Sequence, residues 1–249
     1  MLKIESLAVT GRVAALSAEV AAGSRVHIIG PNGAGKSSLL ASMAGMLSAE
    51  GEISLAGQPL SALTGQALSR YRSYLRQQYL PLSVMPVFQY LSLHQPAGVA
   101  PAALEETLMM LCERLHLADK LASSITRLSG GEWQRVRIVA ALLQVWPTIN
   151  PQGRLLLLDE PANSLDIAHQ QATDQLVDAF CAAGGIAVVS DHDLNHTLHH
   201  AHHVWLMNNG KVIKRGSPGE VMQPANLTPV YGVYFQQHQV AGKDWILTC

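Results

Sequence analysis

Three stretches of this 249-residue chain carry residues whose types and spacing suit chemistry on phosphate. In Gly30-Pro31-Asn32-Gly33-Ala34-Gly35-Lys36-Ser37, four residues separate Gly30 from Gly35, and a lysine and a hydroxyl follow. Glycines let successive backbone N–H groups turn onto one phosphate, and a helix starting at the lysine adds its dipole. Lys36 would then reach the β- and γ-phosphates of a nucleotide and the Ser37 hydroxyl a Mg²⁺ position, with Ser38 as a further phosphate contact. The run LLLLDE ends in two carboxylates: Asp159 can hold the magnesium shell, directly or through water, and Glu160 can polarise an attacking water. The third stretch, LSGGEWQRVRIVAALL, places Ser129 to cap a helix and leaves the first N–H groups open beside Gly130 and Gly131, a second anion-gripping end. One nucleotide site has no use for two such ends.

A fourth stretch, SDHDLNHTLHHAHHVWL, puts six histidines into twelve positions. His196, His199, His200 and His203 fall on one broad helical face, where an i, i+4 pair can take a metal. No cysteine or carboxylate pattern completes a ligand set, so the expectation is a solvated helix surface.

Strands must deliver these residues. RVHIIG, RLLLLDE and GIAVVS are apolar without alternation and read as strands buried on both faces of a parallel sheet, with helical patterns between them. The class is α/β: a mainly parallel core sheet of the phosphate-loop NTPase kind. KIESLAVT and GEISLAG read as half-exposed strands of a small antiparallel sheet near the N-terminus. Leu104, Leu108, Leu111 and Leu115 mark an amphipathic helix in a strand-poor region. The expected division is a core of residues 1–77 and 148–224 that includes the antiparallel part, an inserted helical subdomain of 78–147, and a tail of 225–249 that forms a terminal strand pair. Seventeen basic against eighteen acidic residues leave no electrostatic footprint for nucleic acid. Cys112, Cys181 and Cys249 share no close spacing and read as reduced, cytosolic thiols. No run approaches the ~18 apolar residues of a membrane span, and the first residues lack the apolar stretch of a signal peptide.

The phosphate loop, LLLLDEP and above all LSGGEWQRVR resemble, in that order, the motifs of ABC-type ATPases, over nearly the whole chain. The resemblance implies ATP and Mg²⁺ as ligands. It also implies a head-to-tail pair with a second copy, in which Ser129, Gly130 and Gly131 of one copy meet the γ-phosphate held by the other. Gln77 in YLRQQ is similar to the family's hinge glutamine, which senses magnesium and the attacking water, with Gln78 as the off-by-one alternative. NSLD, with Ser164 and Asp166, resembles the loop that crosses the dimer interface, and His192 the switch histidine that orients water beside Glu160. Asp191 stands where a small hydroxyl residue is usual. The early strands hold no aromatic residue to stack on adenine, which leaves Arg12 or Val13 to cover the base. A transporter role then requires separate partners: two transmembrane permease subunits and, indirectly, a periplasmic substrate-binding protein, with this chain peripheral on the cytoplasmic face of the inner membrane. Non-transport relatives carry two cassettes or a long coiled coil, and GTP switches an Asn-Lys-x-Asp run; none is present here.

Overall fold

The computed structural model describes residues 1–77 and 84–249. Alternation builds the first sheet: β1 (Leu2–Val9) pairs antiparallel with β2 (Val13–Val20) and with β4 (Glu50–Leu55), and a short β5 (Gln58–Pro59) closes the order β2-β1-β4-β5. Leu2, Ile4, Leu7 and Val9 turn inward with Val13, Leu16, Ala18 and Val20. The exposed Ala14-Ala15 pair interrupts the alternation of β2, which hides that strand in the sequence.

The second sheet has six strands in the order β10-β9-β3-β8-β7-β6. Its centre is β3 (Arg25–Ile29), β8 (Ile186–Ser190) and β7 (Leu155–Asp159), the three unalternating runs, and every residue in them is buried. They run parallel, with β6 (Arg72–Leu75) beside β7 and β9 (His203–Asn208) beside β3. Among the described residues only β10 (Lys211–Gly216) is antiparallel in this sheet, an edge strand carrying Lys211, Lys214 and Arg215, charges that discourage pairing with another chain.

Helix α1 (Lys36–Met43) follows β3, and α2 (Gly65–Tyr71) precedes β6. The helical region contains α3 (Val87–Ser92), α4 (Pro101–Arg114) and α5 (Gly130–Val145). Proline opens α4 at its first turn, where its missing N–H costs nothing, and the leucine stripe packs as its spacing predicts, Leu111 and Leu115 fully buried and Leu104 and Leu108 half-buried against the same core. Helix α6 (Ile167–Ala182) links β7 to β8 and α7 (Leu194–His200) links β8 to β9. After α8 (Pro218–Val221) and α9 (Pro224–Tyr231) comes the expected strand pair, β11 (Phe235–Val240) and β12 (Lys243–Thr248). Ala241 and Gly242 join them with φ of 51° and 76°, the backbone a two-residue hairpin turn requires. Asn195 on α7 holds the pair by a two-way exchange: its Nδ2 donates to Ile246 O at 3.0 Å, and Ile246 N donates back to its Oδ1 at 2.7 Å.

Successive strand residues face opposite layers. Leu156 and Leu158 pack against the helical region, while Leu155 and Leu157 join the core between α1 and the antiparallel sheet. Ile29, Val204 and Leu206 form a third core with α8, α9 and the terminal strands. Leu157 has no exposed surface. Leu157→Ala is expected to cost about 2–5 kcal/mol in chemical denaturation; a loss under about 1 kcal/mol would contradict the packing of this strand.

Candidate nucleotide-binding site

The loop after β3 is shaped by its glycines. Gly30 has φ of +148°, and a Cβ there would lie 2.2 Å from Met207 O on β9, so no other residue fits. Gly35, at φ +101°, is the left-handed residue before α1. Lys36 folds back over the loop, its Nζ donating to Gly30 O at 2.7 Å and Pro31 O at 3.2 Å. Burial lowers its pKa, opposed by the charges of Glu160, Asp159 and Asp191. Asn32, Gly33, Ala34, Gly35, Lys36, Ser37 and Ser38 line a cleft of ≈ 460 Å³ together with Gln77 and Glu160. A larger space of ≈ 910 Å³ shares Ser37, Ser38 and Gln77 and adds Arg12, Tyr74, Arg76 and Asp159. Arg12 therefore borders the cleft, whereas Val13 lies in the core; the aromatic side chain here is Tyr74, supplied by β6.

At the end of β7, Asp159 is 2% exposed. Its Oδ1 accepts from the Ser190 hydroxyl at 2.6 Å, and its Oδ2 is buried with no hydrogen-bond partner among the described residues. Burial raises its pKa, opposed by the hydrogen bond from Ser190. A buried carboxylate oxygen left alone is costly unless a cation meets it. With the Ser37 hydroxyl and the Gln77 side chain on the same cleft, the donors are hard oxygens, and the set fits Mg²⁺.

Glu160 has φ of 51°, uncommon for a side chain of its size. Its N–H donates to Ser190 Oγ at 2.9 Å, and its Oε2 accepts from Gln77 Nε2 at 2.8 Å and Asn163 Nδ2 at 2.6 Å. The structure thus joins Gln77 to Glu160; Gln78 lies outside the described residues. His192 is exposed in the loop between β8 and α7, and no hydrogen bond among the described residues links it to Glu160.

Ser129 caps α5, accepting from Glu132 N at 3.3 Å while Glu132 Oε2 accepts from Ser129 N at 2.8 Å. Neither it nor Gly130 nor Gly131 lines the cleft of its own chain. A Cβ on Gly131 would come within 2.8 Å of Ser164 O, so this glycine admits the loop after Glu160 against the helix. Asp166 caps α6 by accepting from His169 N at 2.9 Å and also pairs with His169 Nδ1 at 2.7 Å. Sequence reasoning misses Ser190, Asn163, Gln134 and Arg137. Gln134 Nε2 donates to Pro161 O at 2.9 Å, and Arg137 donates to Arg76 O and to Gln134 Oε1. Ser190, Gln134 and Arg137 lack a local mark because Glu160, Pro161 and Arg76, which they hold, are distant in sequence.

The histidines correct an expectation. Helix α7 ends at His200, so His203 belongs to β9, and the face is not uniformly solvated. The His196 side chain is 10% exposed and bridges two carboxylates, Nδ1 to Asp191 at 2.5 Å and Nε2 to Asp174 at 2.9 Å. The carboxylates come from α6 and from the position before His192, and three-dimensional proximity rather than spacing assembles them. Burial opposes a charge on His196, but the hydrogen bonds it donates to both aspartates, and their charges, raise its pKa to about 9. Since the folded value lies above the ordinary 6.5, its stabilisation is complete below that pH and is lost as pH rises through about 9. In metal-free protein, the stability gap between wild type and His196→Gln is expected to shrink as pH rises from about 6.5 to 9.5; a gap constant over that range in denaturation curves would contradict the bridge.

A phosphate loop after one parallel strand, with an acidic pair at the carboxyl end of another, β7, defines a phosphate-loop NTPase. Residues 13–163 match the family model described as ABC transporter, and the chain belongs to this family. It is accordingly an ATP-binding subunit, an ATPase coupled to transport through membrane permease partners. Curated relatives named vitamin B12 import ATP-binding protein BtuD are 54% identical in Pectobacterium atrosepticum (99% of either chain), 53% in Yersinia enterocolitica and 47% in Salmonella dublin (each 100% of this chain, 98% of the relative). Among solved structures, an ATP-binding subunit of an ABC transporter superposes with TM-score 0.80 at 24% identity, covering 94% of this chain and 95% of the other. An ATP-binding cassette in its ADP conformation gives TM-score 0.73 at 23% identity, covering 92% and 97%. Among the described residues no helix is long and apolar enough to cross a membrane.

Proposed function

We propose that this chain powers the import of vitamin B12 through a separate transmembrane partner. The observation that carries the reading is likeness of 47–54% identity along essentially the whole chain to vitamin B12 import ATP-binding proteins. No residue of the nucleotide cleft is placed to read the transported molecule, so the substrate rests on that likeness. The working unit is a pair of these chains on two permease subunits at the cytoplasmic face of the inner membrane, served indirectly by a periplasmic binding protein.

In this reading Gly30 to Ser38 hold the ATP phosphates through backbone N–H groups, the Lys36 ammonium and the Ser37 and Ser38 hydroxyls. Ser37, Gln77 and Asp159 would hold Mg²⁺, which would supply positive charge to neutralise the phosphates. Glu160 takes up the proton of the attacking water, and Gln77 and Asn163 fix its carboxylate on one side. His192 lies on an exposed loop from which it can approach the γ-phosphate when the pair closes. Ser129, Gly130 and Gly131 face outward from their own cleft and serve the site of the second copy, with Asp166 at the crossing. The helical subdomain of residues 78–147 moves with Gln77 as its hinge, and hydrolysis releases the pair because the bridging γ-phosphate is gone.

Glu160→Gln keeps every nucleotide ligand and removes the base. Hydrolysis should fall at least about 100-fold, while MgATP still binds and drives two chains into a stable pair on a sizing column; normal turnover would remove Glu160 from this role. Bacteria lacking their own importer ATPase, supplied with this chain and its cognate permease, should take up labelled vitamin B12, and Lys36→Ala should abolish uptake. Well-expressed protein that restores uptake of an iron chelate but not of vitamin B12 would overturn the substrate and leave the ATPase standing.

A further inference from the structure

Away from the nucleotide cleft, ligating side chains converge between α6 and α7. Asp174 on α6 is buried, and two imidazoles one turn apart on α7 face it: His196 Nε2 stands 2.9 Å and His200 Nε2 3.9 Å from the same Asp174 Oδ2. The two rings have centroids 4.6 Å apart, and the three donor atoms lie within 4.8 Å of one another. A tetrahedral zinc ion with its usual bond lengths sets ligand atoms about 3.3 Å apart, inside that spread.

The surroundings orient these donors. Asp191 holds His196 Nδ1 at 2.5 Å, the carboxylate–imidazole contact that in zinc sites turns Nε2 to the metal and raises its basicity. On the far side Arg25 holds Asp174 Oδ1 at 2.5 Å, leaving Oδ2 for a cation. The His200 side chain is 37% exposed, which gives a path inward and room for water as a fourth ligand. The overlapping trio of His27, Asp191 and His196 is a poorer site, because His27 is fully buried and its Nε2 accepts from Arg25 Nε at 3.0 Å.

We propose that Asp174, His196 and His200 bind one divalent transition-metal ion of the zinc class, with Asp191 as the carboxylate that orients His196. Two imidazoles and one carboxylate suit Zn²⁺ or Co²⁺ and not Mg²⁺, so the nucleotide's ion does not compete. On binding, the proton shared between His196 Nε2 and Asp174 leaves to solvent. The ion joins α6, which Asp166 caps, to α7, which follows the His192 loop.

The test uses the full chain without a histidine tag, free of nucleotide and in excess Mg²⁺, titrated with Co²⁺ and then Zn²⁺. One Co²⁺ per chain should give the visible absorption of a tetrahedral site, displaced by one Zn²⁺, and Zn²⁺ should raise the melting temperature. His200→Ala should weaken Zn²⁺ binding at least about tenfold and abolish that rise while its metal-free melting curve shows an intact fold; His203→Ala, at the exposed first residue of β9, should change neither. Absence of stoichiometric binding by the wild type overturns the site. So does a His200→Ala affinity equal to the wild type's, or equal weakening by His203→Ala, which would place the ion on surface histidines.

Discussion

One hydroxyl fastens the acidic pair. Ser190 ends β8 and donates to Asp159 at the end of β7, while its oxygen accepts the N–H of Glu160, the first residue beyond that strand. A single side chain therefore fixes a carboxylate oxygen of one acid and the backbone of the next, which leaves the strand at a positive φ. That arrangement depends on parallel pairing in which Asp159 and Ser190 stand opposite each other. A slip of one residue would turn the Ser190 side chain to the other face of the sheet. Full burial of β3, β7 and β8 forbids such a slip, since it would also carry each layer's leucines and valines to the wrong side.

From this joint the site is tied outward by long side chains. Gln77 reaches Glu160 from the end of β6, and Arg137 on α5 holds the carbonyl of Arg76 just before it. Gln134, one turn earlier on α5, holds Pro161 O, just after Glu160. The helix headed by Ser129 is thus bonded both to the segment entering Gln77 and to the segment leaving Glu160. Displacement of this helix cannot leave the two unaffected, and these contacts give the helical region a physical route to the acidic pair.

Much of this was legible in the sequence because its signals were local. The glycine spacing of the phosphate loop, the unalternating runs of β3, β7 and β8, and the Ser129 cap with Glu132 each lie within a few residues. The elements that escaped depend on partners far along the chain: β6, four residues long, reads as a strand only beside β7, β9 starts inside the histidine run and pairs with the distant β3, and Ser190 has no local signature. His196 was the sharpest misreading. Helical spacing placed it on an outer face, but its surroundings are set by Asp174 and Arg25, 22 and 171 residues away, which no periodicity reveals.

The exchange between Asn195 and Ile246 bears on how the chain ends. A side-chain amide offers one donor and one acceptor in a fixed plane, as a peptide group does, so at Ile246 the outer edge of β12 finds what a neighbouring strand would present. A two-stranded ribbon is marginal by itself, and its open rim invites pairing with another chain. Asn195 acts there as a surrogate strand one residue long, turning a potential seed for self-association into a closed margin.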